Sequence, residues 1–162
     1  MTETIKVGIA DLKVKMGDYI LITTSLGSCI AIVIYDPIKK IGGLAHVMHA
    51  DSSLIRHTDN PAKCVDSAID MMLNKILDQN GGLKRRLKAY IVGGACMFPT
   101  LENSPQSNIG KRNIQKAVEV LEANKIKIYG QSTGGNYGRS VEFNIDNGEV
   151  KVVSKKHGDE LL

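Results

Sequence analysis

The chain contains no tryptophan and only two phenylalanines and five tyrosines among its 162 residues. Single-stranded nucleic acids are held on ring faces arranged in series, so this scarcity excludes a base-stacking platform. Charge of one sign is also in short supply. The net charge is +4, and no dense lysine or arginine block supplies a nucleic-acid footprint; Lys84-Arg85-Arg86 reads as a solvated helix end or loop. Nor is there a long apolar run. The opening Met1-Thr2-Glu3-Thr4 leads into no hydrophobic segment of the kind that makes a secretory signal or a membrane span, so the expected compartment is the cytoplasm. Cysteine is sparse: Cys29, Cys64 and Cys96 are odd in number, which suits a reduced compartment better than a disulfide framework. They lack the paired short spacings of a zinc site. A bound metal is not expected.

What is present is ordinary for a globular protein, with 43% hydrophobic and 23% charged residues. The length suits a single core: one domain over residues 1–155 and a C-terminal tail over residues 156–162, with fraying from Ser154 onward. Strand-like alternation in Ile5–Ala10 and Leu12–Val14, the β-rich run Tyr19–Thr23, and the runs Ile30–Ile34 and Ile41–Met48 make the N-terminal third a scaffold of four strands. Asn60-Pro61 caps and starts a helix to about Gln79, with Val65, Ala68, Ile69, Met72, Leu73, Ile76 and Leu77 on one face, stopped by Asn80-Gly81-Gly82. Cys64 reads as packing beside that stripe. Leu87–Val92 is a strand that delivers the chain into Gly93-Gly94, a pair that permits close backbone approach. Asn108 caps a second helix to about Asn124, with Ile114, Ala117, Val118 and Leu121 buried. Gly134-Gly135-Asn136-Tyr137-Gly138 is followed by a strand rather than a helix, so it lacks the context of a dinucleotide loop and reads as a hairpin connection. Asn147-Gly148 turns the chain into its last strand. The order predicts an α+β fold with helices against a mostly antiparallel sheet.

The chemistry centres on Thr23-Thr24-Ser25-Leu26-Gly27-Ser28-Cys29. A thiol placed just after a glycine turn, at the head of a strand, stands at the rim of a rigid element. It attacks well only as the thiolate, so it needs a base or cation to act on a pKa near about 8.5. His46 is the best placed of four histidines, because a hairpin between the two apolar runs sets it across from Cys29. Free cysteine is more often a small buried hydrophobe, and composition alone leaves packing as the commoner role. A working pair requires the sulfur about 3–4 Å from a ring nitrogen. His49 reads as a surface residue at the strand end, and neither His57 nor His157 has a case for catalysis.

Leu26-Gly27-Ser28-Cys29, Tyr35-Asp36-Pro37 and Gly43-Leu44-Ala45-His46-Val47-Met48 resemble the CheD family of chemoreceptor glutamine deamidases. Gly93-Gly94-Ala95 with Met97-Phe98, then Ile109-Gly110-Lys111-Arg112-Asn113, then Gly134-Gly135-Asn136-Tyr137-Gly138-Arg139 recur in that family's order. The resemblance implies an α/β/β layered sandwich and hydrolysis of a glutamine side-chain amide. Cys29 would be the nucleophile, His46 the acid and base, and Thr23 the residue that orients the imidazole; Thr24 and Ser25 also carry hydroxyls. Ser28, Gly27, Ser25 and Phe98 are the expected oxyanion and substrate contacts. The implied substrate is the cytoplasmic helices of methyl-accepting chemotaxis receptors, the implied partner is the chemotaxis phosphatase CheC, and no cofactor is implied. Two positions depart from the family pattern: Ser132 stands where an acidic residue is common, and His49 where an apolar one is.

Overall fold

A computed structural model of the chain describes residues 1–54, 59–98 and 108–162. His57 lies outside them. Among the described residues, ten strands and two α-helices are arranged in three layers. The strands are β1 (Glu3–Lys6), β2 (Asp11–Met16), β3 (Tyr19–Leu26), β4 (Ile30–Asp36), β5 (Ile41–Val47), β6 (Lys88–Gly93), β7 (Lys127–Thr133), β8 (Arg139–Asn144), β9 (Val150–Ser154) and β10 (Gly158–Leu161), with helices α1 (Val65–Asn80) and α2 (Ile109–Ala123). One sheet runs β1-β3-β8-β9-β10 and the other β2-β5-β4-β6-β7. Pairing is antiparallel except for β1 with β3 and β6 with β7.

Every residue of β4 and β5 is buried, because their sheet is the middle layer and both its faces are covered. Side chains alternate between faces along a strand. Ile30, Ile32 and Ile34 therefore pack with Val65, Ile69, Met72 and Ile76 of α1 and Ala117 and Leu121 of α2. Ala31, Val33 and Tyr35 meet Leu21, Val141, Phe143 and Val152 of the outer sheet. Such unbroken apolar runs are what a doubly covered strand requires. Removing the fully buried Phe143 ring would cost about 3–5 kcal/mol. Gly42 makes room for that ring, since a Cβ there would lie 2.7 Å from it.

Several local expectations are corrected. The N-terminal third holds five strands, because β1 and β2 belong to different sheets. Pro61–Lys63 forms a 3-10 turn capped by Asn60, whose side chain accepts from Ala62 N, and α1 begins only after Cys64. Gly81 ends α1 in the left-handed conformation, its N–H bonded to Leu77 O. Asn108 precedes α2 without a side-chain cap. The Gly134–Gly138 segment is no hairpin: β7 lies in the middle sheet and β8 in the outer one, so it carries the chain between layers. The end of the chain pairs rather than frays, β10 lying antiparallel to β9. Arg86 is not merely solvated, since its guanidinium lies 2.7 Å from the buried Asp36 carboxylate.

Candidate functional site

The β4–β5 register sets the first relation in the site. Ile30 pairs with Val47 and Ala31 with His46, so Cys29, one residue before β4, is a diagonal neighbour of His46 on the same face. Such positions are about 7–8 Å apart at the backbone, within reach of longer side chains. That face is the one turned to the outer sheet, where Cys29 packs half-buried against the inter-sheet core. His46 is fully buried.

From the outer sheet, β3 brings Thr23. Leu21 and Thr23 face inward, and the register of β3 against β8 then shifts between Thr23 and Leu26. Ser25 takes a φ of 61° within this irregularity. A bulge of this kind re-aims the chain. Thr24 and Ser25 face solvent, Leu26 returns to the core, and the next residues enter the Gly27–Cys29 turn. Of the three neighbouring hydroxyls, Thr23 is the one that reaches the imidazole, with Oγ1 2.7 Å from His46 Nδ1.

The proton inventory of this contact assigns the tautomer. Thr23 Oγ1 also donates to Val7 O at 2.7 Å. A hydroxyl has one proton, and a carbonyl only accepts, so Oγ1 must accept from His46 and Nδ1 carries the hydrogen. Nε2 is then a lone-pair acceptor. It is buried and has no hydrogen-bond partner, so the expected short contact with the Cys29 thiol is not closed as a hydrogen bond. Burial lowers the His46 pKa below its ordinary 6.5, and burial raises that of the Cys29 thiol, its own amide N–H pulling less strongly the other way. Both shifts favour a neutral thiol beside a neutral imidazole.

The turn itself is held by its carbonyls. Ala95 N donates to Gly27 O at 2.9 Å, Asn113 Nδ2 to Ser28 O at 3.0 Å, and Gly94 N to Cys29 O at 3.0 Å. The close fit explains the glycines: Gly93 has φ +107°, and a Cβ on it would fall 2.5 Å from Cys29 O. Asn113 was not foreseen as a site residue. The signal available was a lone polar side chain facing inward at the start of the otherwise apolar stripe Ala117 and Leu121 of α2.

Of the other predicted residues, Ser28 and Gly27 lie half-exposed in the turn, and Gly27 sits under Met97, whose Cγ would be 3.3 Å from a Cβ there. Phe98 stands on the rim, 69% exposed, beside the 43% exposed Met97. Cys96 lies in the same loop, its amide bonded to Gly135 O. His49 is half-buried past the end of β5 and joins the segment before α1 by backbone bonds with Lys63 and Val65. No cluster of His, Cys, Asp or Glu suited to holding a metal ion occurs among the described residues. No helix among them is long and apolar enough to cross a membrane.

The family model described as CheD, chemotactic sensory transduction, matches residues 48–154. The chain belongs to the CheD family. It is 46% identical over 150 residues to the probable chemoreceptor glutamine deamidase CheD of Clostridium novyi, covering 93% of this chain and 92% of that protein. It is 43% identical over 148 residues to the protein of the same description from Desulforamulus reducens, covering 91% and 89%. Among solved structures, a Neisseria meningitidis protein of the DUF152 family superposes with a TM-score of 0.50 at 10% identity, over 84% of this CheD-family chain and 65% of that one. At that identity the likeness concerns the layered fold alone.

Proposed function

We propose that the chain hydrolyses the side-chain amide of glutamines in chemoreceptors, converting them to glutamate with Cys29 as nucleophile. The observation that carries this reading is the Val7–Thr23–His46 relay, which leaves a buried imidazole lone pair open one diagonal step from a half-buried thiol. The relatives' description as chemoreceptor glutamine deamidases supplies the substrate class.

The neutral pair acts by general-base catalysis rather than as a preformed thiolate. As Cys29 Sγ bonds to the glutamine amide carbon, its proton passes to His46 Nε2 and the carbonyl oxygen becomes an oxyanion. The amide N–H groups of Ser28 and Cys29 are assigned as its donors, and preorganised donors of this kind are worth about 3 kcal/mol each. Collapse breaks the C–N bond. The nitrogen leaves as ammonia with the proton from Nε2, and the acyl group remains as a thioester. Water then gives a proton to Nε2 and its oxygen to the acyl carbon; the proton returns to the departing sulfur, restoring the thiol and releasing glutamate. Thr23 holds Nδ1 protonated throughout, so that Nε2 is always the reacting nitrogen. No metal or cofactor takes part in this scheme.

Incubating a purified receptor cytoplasmic fragment with the protein and following Gln-to-Glu conversion by mass spectrometry tests the reading. Conversion by the wild type and none by Cys29→Ala is expected; equal conversion by both would overturn it. One observation favours a second reading, in which the chain acts mainly as a binding partner of CheC: the exposed apolar pair Met97 and Phe98 beside the turn. In that case Cys29→Ala would leave CheC binding and its phosphatase activity unchanged, whereas Phe98→Ala would weaken both.

A further inference from the structure

We propose that Asn113 is a positioning residue of this site, which aims the Cys29 amide at the developing oxyanion and locks the nucleophile turn to the strand carrying His46. The inference rests on the deamidase reading and goes beyond it by assigning a role to a residue on α2, outside the Cys29–His46–Thr23 set.

Asn113 is fully buried. Its Nδ2 donates to Ser28 O at 3.0 Å and to Met48 O at 3.2 Å. Both partners are carbonyls, which only accept, so the amide orientation is fixed by chemistry: the NH2 faces them and Oδ1 faces away. Those carbonyls stand where the β4–β5 ladder stops, its last pair being Ile30 with Val47. The side-chain amide thus bridges the two chains one step beyond that pair, joining the residue before Cys29 to the residue two beyond His46.

The consequence for the site follows from peptide geometry. A trans peptide is planar, and its C=O and N–H point in opposite directions. Drawing Ser28 O toward α2 therefore turns the N–H of the same peptide, that of Cys29, away from α2. An amide donor beside the attacking atom is what an oxyanion requires. The helix can come so close because glycine meets glycine: a Cβ on Gly110 would fall 2.5 Å from Gly94 O, and one on Gly94 would fall 2.5 Å from Ile114 Cδ1.

The arrangement is a poor way to build a core. Asn113 Oδ1 is buried without a partner, whereas buried polar atoms are nearly always satisfied and an exception calls for a reason. Among the described residues the two buried side-chain polar atoms without a partner are this Oδ1 and His46 Nε2, and their residues flank the same turn. An apolar residue on the α2 stripe would carry no orphaned acceptor of its own but would release the Ser28 and Met48 carbonyls, so Asn113 is better explained by what its donors hold.

Asn113→Leu separates the two roles, because it keeps an apolar helix face and removes donor and acceptor together. The expected result is a melting temperature within about 5 °C of wild type, kcat for Gln-to-Glu conversion lowered by about 10- to 100-fold, and KM within about threefold of wild type. Iodoacetamide alkylation of Cys29, followed on its own peptide, should stay within about threefold, since alkylation develops no oxyanion. Asn113→Ala carries the same test where the leucine does not fit. A folded variant with kcat within about twofold of wild type would overturn the inference, as would losses of kcat, alkylation rate and melting temperature in parallel. Cys29→Ala run alongside keeps the two claims apart. Conversion by Cys29→Ala sinks the deamidase reading, whereas an inactive Cys29→Ala beside a fully active Asn113→Leu sinks only the role of Asn113.

Discussion

The two ends of β4 solve the same problem in opposite ways. At its C-terminal end the buried Asp36 carboxylate is saturated: Arg86 Nη2 at 2.7 Å and Nε at 3.2 Å, Asn80 Nδ2 at 2.9 Å, and the amides of Ile38 and Lys39 at 2.9 and 3.2 Å all donate to it. At its N-terminal end, beside Cys29, two buried acceptors have no donor at all. Burial pushes the Asp36 pKa up, but the bonds from Asn80, Arg86 and the two amides outweigh it, and the carboxyl is held below its ordinary value. The difference teaches how to separate architecture from chemistry in one strand. The buried Asp36, with its hydrogen-bonding capacity filled, holds the fold together, whereas the open Nε2 of His46 keeps a lone pair free to take a proton.

The largest expected contrast is between Cys29→Ala and Asp36→Ala. The first should abolish conversion, by about a thousandfold or more, with little change in the urea midpoint. The second should cost about 3 kcal/mol of stability, because it strands the Arg86 and Asn80 donors, while the protein that remains folded keeps its kcat. If Asp36→Ala proves as inactive as Cys29→Ala while still folded, the division between the ends fails. Next in size is Thr23→Val, which keeps the shape and removes the acceptor for Nδ1–H. Its kcat should fall by about 10- to 100-fold, read in the same mass-spectrometric assay; an unchanged kcat would mean that the tautomer is fixed by something else.

Acid should then pull the two ends apart. Asp36 has a folded pKa below its unfolded one, so its contribution to stability is present above the ordinary carboxylate range and is lost as pH falls through the lowered value. Urea midpoints measured against pH should show that loss in the wild type and a flatter curve in Asp36→Asn. The rate has a different origin. On the proposed mechanism His46 must be neutral to act, and burial lowers its pKa, so the acid limb of kcat should lie below 6.5. A limb above that value would contradict the neutral pair. The smallest effect is expected at the rim: if Phe98 is a substrate contact as proposed, Phe98→Ala should raise KM by about threefold and leave kcat unchanged, since an exposed ring stands apart from the reacting atoms.

Much of this was legible in the chain because it is local. Leu26–Cys29 and Gly43–Met48 announce a turn and a strand on their own, and the cross-strand relation of Cys29 to His46 follows from pairing two adjacent apolar runs. The α1 stripe from Val65 to Ile76 declares its buried face in the same way. What escaped depends on partners distant in sequence. Arg86 reads as a solvated cation until the fold brings it to Asp36, fifty positions away. Gly134–Gly138 reads as a hairpin because nothing in a glycine-rich segment says that its flanking strands belong to different sheets. Asn113 looks like a tolerated polar residue on a helix, since the carbonyls it serves come from two other elements. Three consecutive hydroxyls, Thr23, Thr24 and Ser25, look alike in the chain; in the fold Thr23 Oγ1 lies 2.7 Å from His46 Nδ1 while Thr24 and Ser25 face solvent.

One proton between Thr23 and Val7 has a further effect on the imidazole. With the far nitrogen occupied by a contact whose direction is fixed, the ring cannot take up hydrogen on one side and release it on the other. Everything it exchanges must pass through a single doorway, so sulfur, departing ammonia and incoming water have to use that doorway in turn. Ammonia must clear the cleft before water can stand in its place, and on the proposed mechanism the turnover is therefore ordered by the space in front of one atom.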